Sequence, residues 1–454
     1  MSRQNRGGWV RDKAGHLPAT VRRARVAVSA IFFVHGAIFG SWAARVPAVQ
    51  SELKLSAGLL GLVLAGSGLG ALAGSQVGGL LVRSFGSRAV SAMAPVLLCV
   101  PLGLIPTAHA AWSLMGLLVL LGAADGCTSV AMNAQAVAVQ RRYGRAVLNS
   151  MHAIRSIGAF AGGLAAVATT AFGLTLTTQF VVMAVALAVV SAVATCGLGP
   201  DEEPARPSRR TGCTRQAAHP GDGAGPSPSG KLQASAQADA HRVPGAGGQD
   251  AARHGPNRRT TVLLLALMTF LAALVEDAPA SWSGVYLRHV GADATTAAAG
   301  YAAFSAGSVV ARLVNDWLVD RIGWARLIRL GTLCCAAALS GALLLGQPWI
   351  TLAALVVAGA GISAVFPGVF TAAGGLPQAA LAMGQVGFAG NLGWLLVSPI
   401  IGGLATLVGL PTALGLLVVA AATIACLAPV TRSAAPSPPV PGVPSTKRTA
   451  SHTD

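Results

Sequence analysis

Asp125, Ser129 and Asn133 recur at every fourth position in the stretch LGAADGCTSVAMNAQAVAVQ, which is otherwise built of small and apolar residues. Residues four apart share a helical face, so the spacing predicts a polar stripe carrying one carboxylate. In the next apolar stretch His152, Arg155 and Ser156 share a face in the same way. Glu276 and Asp277 stand side by side in a later one, and His35 interrupts the first. Ionisable groups at membrane depth are costly, and they persist by facing a water-filled cavity or a partner. The chemistry such groups could do there is proton carriage and recognition of a polar solute. Counted along the helices at about 1.5 Å per residue, Asp125 lies about 24 Å from the cytoplasmic end and Arg155 about 15 Å. A long arginine pointing outward can approach that acid, so an Asp125–Arg155 pair is expected. Glu276 and Asp277 lie about 25 Å in, as does Trp42 in the first stretch, with Arg45 slightly nearer the outside. Adjacent acids point about 100° apart, so one at most is central. Two neighbouring acids at low dielectric resist carrying two charges at once, which suits a proton carrier.

Plainer readings stand beside these. Asp125 can be a structural partner of Arg155, and His35 a hydrogen-bonded packing residue. Arg312 and Asp316 are an i,i+4 pair that reads as a structural latch. Arg45 and Arg288 can snorkel to the outer interface.

The elements that must position these groups are twelve apolar stretches, each long enough to cross a bilayer. They are 24–46, 57–82, 89–108, 112–139, 147–172, 175–198, 260–287, 295–319, 325–345, 348–372, 382–405 and 409–430. Residues 53% hydrophobic and 10% charged, with a mean hydropathy of +0.63, exclude an ordinary soluble domain, where charged residues reach about 25%. The +17 net charge follows topology. Arg and Lys gather in the N-terminal tail, in 199–259 and in alternate short loops (Arg83 with Arg88; Arg141, Arg142 and Arg145; Arg321 and Arg326), with no basic stripe interleaved with aromatics, so nucleic acid is not an expected partner. The positive-inside rule then puts both termini and the central insert in the cytoplasm, with Lys54 and Arg288 as exceptions. The first apolar run is too long for a signal peptide and reads as an uncleaved helix. The seven cysteines show no metal spacing and read as small apolar fillers.

The expected organisation is a basic tail (1–23), a six-helix bundle (24–198), a Gly/Pro/Ser-rich disordered linker (199–259), a second six-helix bundle (260–430) and a disordered tail (431–454). The halves repeat one another. GGLLVRSFGSR (78–88) follows the second stretch and NDWLVDRIGWAR (315–326) the eighth, while Ser41-Trp42 and Ser281-Trp282 close the first and seventh. A parallel repeat of six spans is the arrangement of transporters whose site lies between the halves. The Gly66–Gly74 and Gly359–Gly361 clusters lie inside apolar runs and predict close helix approach, not phosphate binding. Pro367 and Pro399 predict bends in the tenth and eleventh spans.

These motifs resemble the major facilitator superfamily. Its loop after the second helix reads roughly G-x-L-x-D-R-x-G-R-R, matched here by Gly79, Leu81, Gly86 and Arg88, with Arg83 at the acidic position. The second copy keeps Asp316, Asp320, Arg321 and Gly323. Segments 121–145, 149–163 and 282–288 are similar to a bacterial inner-membrane branch related to fucose permease. The resemblance implies an all-α membrane protein, twelve helices in two pseudo-symmetric bundles, alternating access and proton coupling, without implying a sugar. In that branch acids precede the fourth-helix Asn by four residues and the seventh-helix Trp by one; this chain has Ser129 and Ser281 there.

The expectation is therefore a monomeric, multi-pass transporter of the bacterial plasma membrane that moves a small solute without ATP, cofactor or metal. Asp125 is the first candidate for proton coupling and Glu276 the second, while Asn133, His152, Arg155 and Trp42 shape the substrate site. Export of a drug or natural product, uptake of a sugar-type solute, and a non-transporting sensor or scaffold on the same frame all stay open. No Walker motif, nucleophile elbow or His/Cys cluster suggests an enzyme.

Overall fold

The computed structural model describes residues 18–143, 147–199 and 258–433. Most of the expected linker over 199–259 and of the two tails lies outside these residues, although Arg258 and Arg259 already belong to a helix. Among the described residues the chain is helical and contains no strand.

The first half is built from α1 (Ala19–Ala43), the short α2 (Val46–Glu52), α3 (Ala57–Leu104), α4 (Ala111–Tyr143), α5 (Leu148–Ala171) and α6 (Leu176–Thr195). The second comprises α7 (Arg258–His289), α8 (Ala294–Ile322), α9 (Trp324–Leu345), α10 (Pro348–Ile362), α11 (Val365–Gly374), α12 (Ala379–Val408), α13 (Leu410–Leu427) and α14 (Val430–Ser433). Among the described residues, eleven helical segments are long and apolar enough to cross a membrane. The longest, α3, is two spans joined at Gly86, where φ 83° and ψ 157° leave the helical region, so the twelve apolar stretches of the sequence are all present. Gly323, between α8 and α9, adopts φ 76° and ψ 159°. These two glycines close the matched GGLLVRSFGSR and NDWLVDRIGWAR segments, and the left-handed φ they share is one that only glycine adopts readily. The tenth span breaks between α10 and α11 at Ser363–Ala364, four residues before Pro367. That spacing is what a missing proline N–H and its ring impose.

The halves pack alike. α1 lies against α5 as α7 lies against α12, α3 against α4 as α8 against α10, and α3 against α6 as α9 against α13. Within the first half the approach is backbone to backbone. A Cβ on Gly70 or Gly74 of α3 would fall 2.0 Å from the Val119 or Ala123 carbonyl of α4, and one on Gly36 or Gly40 of α1 would fall 1.9–2.0 Å from the Arg155 or Ala159 carbonyl of α5. In lipid, where tails are as apolar as leucine, such small-residue contacts are what bring helices together.

Between the halves, α3 packs on α12 and α5 on α8, and α2 reaches α7 and α8. The α3–α12 contact uses the N-terminal part of α3 and the C-terminal part of α12: Gly58 and Gly61 meet Thr406, Gly402 and Ser398. In the α5–α8 contact Gly163 meets Ala302, near the same end. The halves are thus sealed at the end that carries α2.

Candidate functional site

Midway along the bundle, five helices of the two halves bring ionisable side chains together. From the first half come His35 (α1), Asp125 (α4) and Arg155 (α5). His35 Nε2 lies 2.8 Å from Asp125 Oδ1, somewhat off the line of a straight hydrogen bond. Arg155 Nε donates to His35 Nδ1 at 3.1 Å. A guanidinium can only donate, so Nδ1 is the unprotonated acceptor and the ring proton sits on Nε2, facing the carboxylate. The expected direct Asp125–Arg155 pair is therefore replaced by a three-part chain with His35 in the middle. The physical reason is packing: α1 is pressed against α5 at Gly36 and Gly40, and it also contacts α4. His35 fills the gap that the arginine would have crossed. It is 4% exposed, whereas the Asp125 side chain is 34% exposed.

From the second half come Glu276 and Asp277 (α7) and Arg312 and Tyr301 (α8). Arg312 Nη2 donates to Glu276 Oε1 at 2.9 Å, and Nη1 donates to Ser156 Oγ of α5 at 3.1 Å. The latch expected between Arg312 and Asp316 does not form; Asp316 lies exposed further along the helix. Helical spacing permitted that pair, but the acid at cavity depth is on α7, and a charge inside a membrane bundle gains more from a buried partner than from one at the solvated end. Arg312 thus ties both halves to one guanidinium. Both of its side-chain partners are close to the middle of their helices, and the Arg312 and Glu276 side chains are 24% and 25% exposed.

Asp277 has no ion-pair or hydrogen-bond partner among the described residues. It lies within electrostatic range of Glu276, Arg155 and Asp125. Tyr301 packs its ring edge-on against Phe39 of α1 at 5.9 Å, and stacks on Phe304 at 6.4 Å, so aromatics also span the halves here. His152 packs edge-on against Phe32 at 5.1 Å, within electrostatic range of Arg155, Arg312 and His35.

Other expected residues sit elsewhere. Asn133 donates to the Ser129 carbonyl of its own helix at 2.8 Å, so its amide is partly spent locally. Trp42 does not line the cavity: it is 6% exposed, tilted against Phe180 of α6 at 6.3 Å. A large ring one turn from the tight α1–α5 contact gains more by filling the first-half core than by facing water. Arg45 does not extend to an interface; it is 6% exposed and donates to Thr170 Oγ1 and to the Leu174 carbonyl, pinning the α5–α6 turn. Gly79, Arg83, Gly86 and Arg88 lie along the α3 break, and Asp320, Arg321 and Gly323 at the α8–α9 junction. There Arg321 sits over the Trp317 ring at 4.0 Å. Sequence reasoning missed Tyr301 and the cross-half role of Ser156. A tyrosine inside an apolar span, and a lone arginine (Arg312) deep in the same span, were the available signals. A separate apolar cavity of about 40 Å³ between α7, α9, α10 and α13 is lined by Trp282, Tyr286 and Leu355; it lacks the charged groups and is not this site.

A pseudo-symmetric pair of helical bundles, sealed at one end around a charged and water-reachable centre, is the construction of a membrane transporter. Residues 27–379 and 265–452 match the Major Facilitator Superfamily, and the chain belongs to that family. It is 27% identical to an uncharacterised MFS-type transporter of Yersinia pestis over 89% of this chain and 94% of the relative. It is 26% identical to the membrane protein MosC of Rhizobium meliloti over 88% of each. Among solved structures, its fold is similar to a D-xylose–proton symporter (TM-score 0.64, 14% identity, 90% of this chain and 99% of the other). It is also similar to the nucleoside transporter NupG (TM-score 0.61, 14% identity, 90% and 98%). The protein is a multi-pass membrane transporter of a small molecule, not an enzyme.

Proposed function

We propose that the chain is a proton-coupled secondary transporter working by alternating access in a bacterial plasma membrane. The observation that carries this is the pair of acid–base assemblies facing one cavity from opposite halves: Asp125–His35–Arg155 and Glu276–Arg312–Ser156. Each carboxylate is reached by water and also held by a donor, Asp125 by the His35 N–H and Glu276 by the Arg312 guanidinium, so protonation of either weakens an interaction that helps fix the arrangement of helices. Glu276 matters most for rocking, because its partner Arg312 also holds α5 of the other half. Asp125 takes or gives its proton beside the Nε2 proton of His35, which gives the first half a relay. The basic loops put both termini and the inter-half linker in the cytoplasm. On that orientation the sealed α2 end faces outward, and the site opens to the cytoplasm.

The test is proton movement. Proteoliposomes holding the full chain and a pH-reporting dye are challenged with fractions of a bacterial metabolite extract. An active fraction drives dye-reported proton flux, and Asp125→Asn or Glu276→Gln removes that flux. Solute movement that ignores an imposed pH gradient and survives both substitutions overturns the coupling.

A further inference from the structure

The ion pairs of the site leave two opposite charges unused. Arg155 is anchored through Nε on His35, which is itself set by Asp125. Its two Nη atoms have no partner among the described residues. They are not sealed from solvent, since neither is among the buried polar atoms lacking a partner. Asp277, on the opposite half, likewise has neither a hydrogen bond nor an ion pair, and its carboxylate is not sealed either. The two are within electrostatic range, yet no salt bridge joins them. A guanidinium whose Nε is fixed presents a planar fork that matches a carboxylate bidentately. An unpaired carboxyl at membrane depth is neutralised by a proton or by a cation, and a solute ammonium can supply the second. Tyr301, whose ring packs against Phe39 and Phe304, lies within electrostatic range of both Arg155 and Asp277.

We propose that Arg155 and Asp277 form the two poles of the substrate site, and that the solute is a zwitterion bridging the halves, its carboxylate on the Arg155 fork and its ammonium on Asp277. The assignment rests on the transporter reading above and adds the class of cargo. It also explains why Arg155 is held through His35 and not spent on Asp125: a direct pair would occupy the fork. Arg312, whose two Nη atoms are engaged by Ser156 and Glu276, holds the frame while the Arg155 Nη atoms remain open to cargo. A zwitterion binds both halves at once, so its occupancy favours arrangements in which the poles stay near one another.

Binding to purified full-length protein in detergent tests this without any gradient, so that failure of proton coupling and failure of this assignment are told apart. Calorimetric titration uses 4-aminobutyrate, 6-aminohexanoate and alanine, with butyrate, butylamine and butanol as single-charge and neutral controls. Each charged limb contributes on the order of ten- to hundredfold in Kd, so at least one amino acid binds tenfold or more tighter than every control. Arg155→Lys keeps the charge but loses the fork, and it lowers amino-acid affinity while leaving butylamine unchanged. Asp277→Asn removes the advantage of the amino acid over butyrate. Controls that bind as tightly as the best zwitterion overturn the proposal. So does an undiminished amino-acid preference in a folded Asp277→Asn protein, with folding checked by the thermal melt.

Discussion

Gly36→Ala changes one hydrogen into a methyl group on α1, next to His35, and touches no polar side chain. The added Cβ would sit 1.9 Å from the Arg155 carbonyl oxygen and 2.8 Å from the Ala159 nitrogen, both backbone atoms that cannot swing away. Reaching ordinary contact near 3.4 Å requires α1 and α5 to part by about 1.5 Å. The His35–Arg155 hydrogen bond, 3.1 Å long in the intact protein, does not survive that separation. Overpacking of this kind costs about 1–3 kcal/mol, and loss of a bond to a charged group about 1.5–3 kcal/mol. Because one displacement causes both, the expected loss is about 3 kcal/mol, not their sum. Gly116→Ala is the control. Nothing lies within 4 Å of its Cβ, and alanine in a helix interior gains about 0.5–1 kcal/mol over glycine. Thermal melts in detergent and the dye-reported proton flux read both variants. Gly36→Ala should melt several degrees lower and lose flux, while Gly116→Ala holds or rises. A Gly36→Ala protein that melts and transports like the wild type would refute the claim that the α1–α5 contact sets the site.

A double-mutant cycle should find Arg312 and Glu276 coupled. Arg312→Ala strands a partly buried carboxylate and costs about 2 kcal/mol, more than Glu276→Gln/Arg312→Ala together cost beyond the single Glu276→Gln; additive melting shifts would sink the pairing. Gly402→Leu places a side chain where a Cβ already falls 2.7 Å from the Ala57 carbonyl. It should wedge the sealed end apart and raise thiol labelling of a cysteine placed at Ser398, which is 4% exposed, with unchanged labelling as the contrary result. Asp293 caps α8, accepting the Thr296 backbone N–H at 2.6 Å, and this bond holds its carboxyl below the ordinary carboxylate value of 3.8. Its contribution is therefore present at neutral pH and disappears as pH falls below that ordinary range. Asp293→Ala should lower the melting temperature at pH 7 more than at pH 3, and an equal loss at both would contradict the cap.

The framework was legible because lipid allows few alternatives. A chain that must satisfy its own hydrogen bonds across a bilayer forms long helices, so apolar length alone located the spans, and the paired GGLLVRSFGSR and NDWLVDRIGWAR segments located the repeat. Even Gly86 and Gly323, two of the positive-φ glycines, were marked by their place in it. The partners inside the site were another matter. Helical spacing links residues on one helix, which is why Arg312 pointed to Asp316, whereas its true partner lies 36 residues earlier in the chain. His35 was separated from Arg155 by 120 residues, and only the glycine-mediated closeness of α1 and α5 puts one between the other and Asp125. Depth counting placed Trp42 level with the cavity but could not give its rotation, which turns it onto Phe180.

Trp42 and Trp282 stand at equivalent places in the duplicated frame, and both are sunk in their own half, at 6% and 1% exposure. Carried back along the helices by that register, His35 corresponds to Val275, and the Glu276–Asp277 pair to Gly36–Ala37. Duplication therefore preserved the scaffold while each copy kept ionisable groups at places the other left bare. A binding centre assembled from such unequal contributions is polar in a definite direction, from one bundle toward the other. Changing what this carrier accepts then calls for exchanging a few side chains on one bank of the cleft, with no rebuilding of the walls that swing around it.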